Sequence, residues 1–399
     1  MTPRSLYRGA VLGDVFMGRN LIRRLPDRPR TSALIALVIA TFFVVVRLSS
    51  VGNGDIGSFV GAGDYLSGGT DLPLQPGAGY DGQFYYRMAI APLNFDATAE
   101  GVTLDSEMRL QRPGYPSVTW VVSFGGLFAV ELALIAVNVL GLALIAGLGG
   151  VLARRSGRHA LWGLALAMYY GFAFTLSKDL TEIVEVSFLL LGLVAAHKQR
   201  FVLSALALGG AVLTRESALF FVPFVAAWRL FVIVRRRQRP SAIDLTWIVP
   251  PIMFGAWQLF VHASTGRFPV NAERHNTVNF PGWPLLRALP DLLRDQSVRG
   301  VVHLAEVVVL VVVLAVAAIS LRKSTADPLE VAIFAGLAIA CLAVDVRSSV
   351  WTIRSLRMFA DAYVMAMVVL LATQRRLGYL LTAVGAVSLT TYGYFILNL

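Results

Sequence analysis

Apolar positions in this 399-residue chain fall in long, nearly unbroken runs rather than in helical stripes or strand alternation. Ser32 to Val46 opens the first run, which continues to about Val51, and others follow near 130–153, 160–177, 181–196, 201–214, 218–234, 246–263, 301–320, 329–345, 358–373 and 377–397. A spanning helix needs roughly 17 to 25 apolar residues. The pattern therefore predicts an all-α polytopic membrane protein with about 11 transmembrane helices. Pro116 to Phe128 is apolar but only about a dozen residues long, closer to an interfacial or re-entrant piece than to a span. Two long polar stretches, 52–116 and 264–300, interrupt the runs, and the second holds an amphipathic segment from about Leu285 to Leu293 behind Trp283. That segment is expected in the interface plane with its leucines toward lipid. The organisation predicted is a basic tail at 1–31 and a single transmembrane domain at 32–399, without an internal repeat.

Composition agrees: 56% of the residues are hydrophobic and only 15% are charged, against about 25% charged in soluble domains. The single cysteine, Cys341, excludes a disulfide framework or a thiol redox pair. The net charge of +11 acquires meaning from its placement. Residues 1–31 carry seven arginines against Asp14 and Asp27. If 116–128 does not cross, Arg154/Arg155/Arg158, Lys198/Arg200, Arg235/Arg236/Arg237/Arg239, Arg322/Lys323 and Arg375/Arg376 all fall on the side of that tail. The positive-inside rule then makes the tail cytoplasmic, the C-terminus extracytoplasmic, and 52–116 and 264–300 extracytoplasmic loops. The basic region is too long for a cleaved signal peptide, so the first run is expected to be an uncleaved signal anchor. Topology accounts for the charge, and nucleic acid is not an expected partner.

Candidate chemistry sits on the extracytoplasmic side. The first loop places Asp55, Asp64, Asp71 and Asp81 among glycines, followed by Gln83, Tyr85, Tyr86 and Arg87. Asp55, just past the membrane edge, and Asp81, in an aromatic setting, are candidates for a general base. Asp64 and Asp71 read as turn residues. Sugar rings pack on Tyr and Phe while their hydroxyls need partners such as Gln83, so this loop suits a sugar substrate. At the next corner Lys178, Asp179, Glu182 and Glu185 fall within about two helical turns, and the three acids enter the membrane on one helix face, which reads either as a site or as a capped helix start. Arg215 with Glu216, and Arg357 near Arg347 and Arg354, are guanidinium candidates for a lipid phosphate. The alternative is internal pairing of Arg215 with Glu182 and of Arg357 with Asp361. His275, beside Glu273 and Arg274, is either a substrate-facing residue or a hydrogen-bonded loop residue. The five histidines show no metal spacing, and no metal is expected.

The runs YDGQFYYRMAIAP, RLQRPGYPSVTW and LTRESALFF, with the signal-anchor helix and long first loop, resemble the GT-C superfamily of integral-membrane glycosyltransferases, in a bacterial branch. The resemblance spans most of the first 220 residues. It implies a multi-pass enzyme of the bacterial inner membrane that transfers a hexose or pentose with inversion from a polyprenyl-phosphate donor to an envelope glycan or lipid. A first-loop acid would be the base, and no resident cofactor beyond the lipid-linked sugar is implied. Arg215, Arg357 and Lys178 would hold the donor phosphate; Gln83, Tyr85, Tyr86, Arg87, Asp179, Glu182, Glu216 and His275 would line the substrates. Many relatives carry an Asp-Glu pair where this chain has Asp81-Gly82, and Tyr-Pro-Pro where it has Tyr115-Pro116-Ser117. The base therefore stays open between Asp55 and Asp81, with Asp55 favoured because family bases lie close behind the first helix. The large C-terminal domain of some relatives is not expected here, so acceptor recognition is expected from the two loops. A transporter or flippase for a lipid-linked or anionic solute, and a non-catalytic scaffold for envelope polymer export, are the rival readings.

Overall fold

Every apolar run predicted from the sequence forms helix in the computed structural model, which describes residues 25–272, 276–346, 351, 356–373 and 377–397. In chain order the helices are α1 (Pro29–Ser50), α2 (Asp64–Ser67), α3 (Gly82–Ile90), α4 (Gly114–Val122), α5 (Val130–Arg155), α6 (Leu164–Ala167), α7 (Gly171–Ser177) and α8 (Glu182–His197). There follow α9 (Phe201–Thr214), α10 (Phe221–Arg235), α11 (Leu245–Thr265), α12 (Trp283–Arg294), α13 (Val298–Ser320), α14 (Pro328–Ala343), α15 (Ala360–Leu371) and α16 (Gly378–Leu397).

By length and composition, five helical stretches among the described residues are long and apolar enough to cross a membrane: α1, α5, Glu216–Arg235, Val298–Lys323 and α16. The pair Ala160–Ala167 and Gly171–Ser177, bent by 68°, makes a sixth if it is one broken span. The chain is thus a helical membrane protein, with a count of full-length spans below the eleven expected. The difference lies in α8, α9, α14 and α15, which have 16, 14, 16 and 12 residues, and in α11, whose 21 residues include Pro250, Pro251, Gln258 and His262 and are not apolar enough to count. At 1.5 Å per residue, 12 residues rise only about 18 Å against a hydrocarbon core of about 30 Å. The run behind Pro116 ends early for a visible reason. Helix α4 has nine residues, and Phe124, Gly125 and Gly126 then take positive φ and turn the chain back toward α5.

Helix α1 shows how the bundle solves its solvent problem. Ala36, Ala40 and Phe43 are buried while Leu34, Val38, Phe42 and Val45 stand exposed, so both faces are apolar and the outer one suits lipid. The buried face packs against α5, and α8 packs as closely on α9. Loops assigned by charge to the tail side meet one another. Asp27 lies 3.6 Å from Arg154, Asp327 lies 3.7 Å from Arg155, and His197 lies 2.7 Å from Glu330.

The first loop is folded. After the 3-10 turn Ile56–Phe59 and α2, α3 leads into a hairpin of β1 (Thr98–Ala99) and β2 (Val102–Thr103), whose two turn residues, Glu100 and Gly101, both have positive φ. That is the conformation a two-residue hairpin requires. The loop closes through the 3-10 turn Glu107–Gln111. In the second loop, the strand β3 (Asn276–Val278) pairs antiparallel with β4 (Val344–Val346), and α12 coincides with the amphipathic segment read from the sequence. Leu286, Leu289 and Leu293 of α12 are exposed, whereas Ala288 and Leu292 are buried.

Candidate functional site

Four segments far apart in sequence converge on Asp81, the residue that precedes α3. Arg109 leaves the Glu107–Gln111 turn and places Nη1 3.0 Å from the Asp81 carboxylate. Arg112 lies 4.0 Å and Arg357 3.8 Å from the same carboxylate. Each of these last two also grips a second acid. Arg112 forks onto Glu216 with bonds of 2.7 and 2.6 Å, and Arg357 donates to Glu182. Arg215 completes the group, with Nη1 3.1 Å from Glu182 and Nε 3.7 Å from Glu185. Glu182 also accepts from Thr175 Oγ1 at 3.0 Å. Bidentate and shared guanidinium pairs of this kind fix orientation as well as charge.

Small residues make the convergence possible. A Cβ on Gly114 would stand 2.2 Å from Thr214 Oγ1, so the Arg112-Pro113-Gly114 step rests directly on the end of α9 and brings Arg112 to Glu216. A Cβ on Gly171 would meet the Arg357 Cα at 2.7 Å, and it is here, at the start of α7, that the broken span admits the Arg357 segment. Aromatic rings floor the cations: Arg109 lies 4.7 Å over Phe84, Arg357 5.5 Å over Phe174, and Lys178 4.7 Å over Tyr80. Burial pushes the Asp81 carboxyl up, but Arg109, Arg357, Arg112 and Arg215 together outweigh burial and hold it below the ordinary carboxylate value.

The same geometry explains the Asp81-Gly82 departure. A Cβ on Gly82 would stand 2.4 Å from the Val60 carbonyl and 2.5 Å from the Lys178 carbonyl, where backbone packs on backbone. Gly82→Glu, which builds the Asp-Glu pair that the sequence resemblance would lead one to expect, is expected to destabilise the protein by about 1–3 kcal/mol through overpacking. Thermal unfolding in detergent tests this, and an unchanged midpoint would refute the close packing.

The predicted site residues divide. Asp81, Glu182, Arg215, Glu216 and Arg357 come together, with the Tyr85 hydroxyl 3.5 Å from Arg112. The expected Arg215–Glu182 pair is present, whereas Arg357 meets Glu182 and Asp81 in place of the expected Asp361. Asp55 stands apart. It is exposed, caps the Ile56–Phe59 turn by accepting from Gly57 N at 2.8 Å, and lines a separate shallow hollow with Asp71 and Glu131. Tyr86 leans toward that acidic side; burial and then the Glu131 carboxylate push its phenol up to about 12. Lys178 is buried on Tyr80, 3.5 Å from Gln75 Oε1.

Gln83 and Arg87, expected to face substrate, hold the loop together instead. Gln83 accepts from Ser67 Oγ at 2.6 Å and from Gly63 N at 3.1 Å, and donates to the Ala78 carbonyl at 2.7 Å. Arg87 is fully buried beneath the hairpin and donates to the carbonyls of Asp96, Ala97 and Val102. Asp179 is buried in a left-handed conformation, φ 46°, and burial pushes its carboxyl well up. His275, Arg347 and Arg354 lie outside the described residues. Sequence reasoning missed Arg109 and Arg112. The signal was available, since two arginines in a loop assigned to the arginine-poor side need a local partner. Among the described residues no group of three or more His, Cys, Asp or Glu side chains is placed to hold a metal ion.

No protein-family model matches the chain, and comparison with curated proteins finds no match. Among solved structures the chain is similar to ArnT from Cupriavidus metallidurans bound to undecaprenyl phosphate, with TM-score 0.50 and 16% sequence identity over 85% of this chain. The aligned part spans 59% of that structure's own length. The GT-C-like fold that the sequence motifs imply is thus present.

Proposed function

We propose that the chain is a GT-C-type glycosyltransferase that moves a sugar from a polyprenyl-phosphate donor to an envelope glycan or lipid on the extracytoplasmic face of the bacterial inner membrane. The observation that carries this reading is the ring of three guanidiniums within 4.0 Å of Asp81, two of which reach onward to Glu182 and Glu216. The fold shared with a protein bound to undecaprenyl phosphate supports the lipid class of the donor.

In this reading Arg112, Arg215 and Arg357 take the donor phosphate in place of part of their carboxylate partners. Asp81 stands on the side facing the sugar and removes the proton from the acceptor hydroxyl. The acceptor oxygen forms a bond to the anomeric carbon from the face opposite the phosphate. The bond from that carbon to the phosphate oxygen breaks, its electron pair leaves with the polyprenyl phosphate, and the arginines neutralise the developing charge. The configuration inverts in one displacement. Glu182 and Glu216 are positioning residues that aim the guanidiniums. Asp55, in its own exposed hollow, is left as a turn cap.

Transfer of labelled sugar from polyprenyl-phosphate donors to an envelope lipid and glycan extract by the purified protein tests the proposal. The expected result is donor-dependent, protein-dependent transfer that falls at least tenfold in Arg357→Ala. Movement of the intact lipid-linked sugar across liposomes without any transfer would assign the site to a flippase.

A further inference from the structure

Beside the arginine cluster an open cleft of about 1360 Å³ runs between the two long loops. Ligand pockets for small molecules hold about 300–1,000 Å³, so this one has room for several sugar residues. Its walls alternate apolar rings with hydrogen-bonding groups. Phe95 and Phe268 line it, as do Asn94, Asp96 and Asn271. Both rings are braced from behind. Phe268 lies flat on His262, with centroids 4.0 Å apart, and Phe95 packs edge-on against Trp257 at 6.1 Å and Phe260 at 5.8 Å. Fixed ring faces flanked by amide and carboxylate oxygens suit sugars, whose C–H faces stack and whose hydroxyls donate.

Charge narrows the ligand. The cleft sets three acids, Asp96, Asp105 and Glu107, against two arginines, Arg267, which lies 3.0 Å from Glu107, and Arg109, which pairs with Asp105 at 2.8 Å. An anionic chain meets repulsion there, while an uncharged or amine-bearing one does not. The cleft also connects to the reaction centre through one side chain. Arg109 donates to Asp105 through Nε and Nη2, 2.8 Å each, and its Nη1 lies 3.0 Å from Asp81. A hydroxyl arriving beside Asp105 is therefore a single guanidinium away from Asp81.

We infer that this cleft is the acceptor subsite and that it takes a glycan chain without negative charge, an amine-bearing one most tightly. The inference rests on the transferase reading above and extends it to the acceptor. Its test uses the full chain in nanodiscs with four probes: chitotetraose, its fully de-N-acetylated amine form, tetragalacturonate, and undecaprenyl phosphate. The amine form is expected to bind best, the neutral tetramer next, and tetragalacturonate at least tenfold more weakly. Ser264→Trp, which fills the mouth of the cleft from the end of α11, and Asp96→Asn should each weaken amine-tetramer binding about tenfold. Both should leave undecaprenyl phosphate binding within twofold. Tetragalacturonate binding as well as the others, or oligosaccharide binding indifferent to both variants, would overturn the inference. Saturable undecaprenyl phosphate binding with no oligosaccharide bound would overturn the subsite and leave the transferase reading standing. Oligosaccharide binding sensitive to the variants, without undecaprenyl phosphate binding, would keep the cleft as a glycan site and remove the transferase reading.

Discussion

Asp81→Asn is expected to lower sugar transfer by about 10²–10⁴-fold, the range for loss of a positioned general base, with undecaprenyl phosphate binding retained. Asparagine keeps the size of the side chain and loses only the charge and the capacity to accept a proton. The guanidinium of Arg109 stays anchored by Asp105, 2.8 Å away, so the arginine ring is not released. Asp55→Asn is the discriminating partner. Its amide oxygen still caps Gly57 N, and transfer should change by no more than about twofold, as for surface changes of about 0.5 kcal/mol. The reverse outcome, with Asp55→Asn inactive and Asp81→Asn active, would move the base to Asp55.

The pH profile follows from the sign of the Asp81 shift. The arginines lower its carboxyl below the ordinary value, about 3.9 for a free Asp. A lowered native value means that the charged form and its stabilising contribution are complete above about pH 4 and are lost as pH falls through the lowered value. This group should therefore give transfer no acid limb between about pH 5 and 8.

Glu182→Gln is the second large effect. Glu182 is almost fully buried and shared between Arg215 and Arg357, and removing one partner of a buried ion pair costs about 3–5 kcal/mol because charge is left uncompensated. The variant should unfold at markedly lower temperature, and undecaprenyl phosphate should raise that temperature more than it does in the unaltered protein, because the phosphate supplies the missing anion. Equal shifts in both proteins would make the arginines structural and take the phosphate site away from them.

The helices were legible in the sequence because apolar runs have few other uses. Spans such as 130–153 and 201–214 fall within two residues of α5 and α9. Their role as full spans was less legible, since a run like 358–373 meets α15 at only 12 residues, with its ends drawn into turns. For the site, carboxylates and guanidiniums at helix corners were readable from the cost of charge near a membrane. Where Gln83 and Arg87 direct their bonds was not readable, because a sequence shows hydrogen-bonding capacity and not its direction; both turn inward to satisfy backbone carbonyls. Asp55 was favoured for its distance from the first helix. The structure sets it on a turn whose own amide occupies it.

The shared arginines carry a last consequence, one of timing. A polyprenyl-linked sugar bears its phosphate as a diester with one negative charge. Once the sugar departs, the phosphate is a monoester whose second ionisation lies near 6, so it carries between one and two charges at neutral pH. Under the proposed reaction, Arg112, Arg215 and Arg357, which pair with Glu216 and Glu182, would hold the spent carrier more firmly than the loaded one. In the proposed reaction the bare carrier lipid therefore leaves for the bilayer more slowly than the loaded one would.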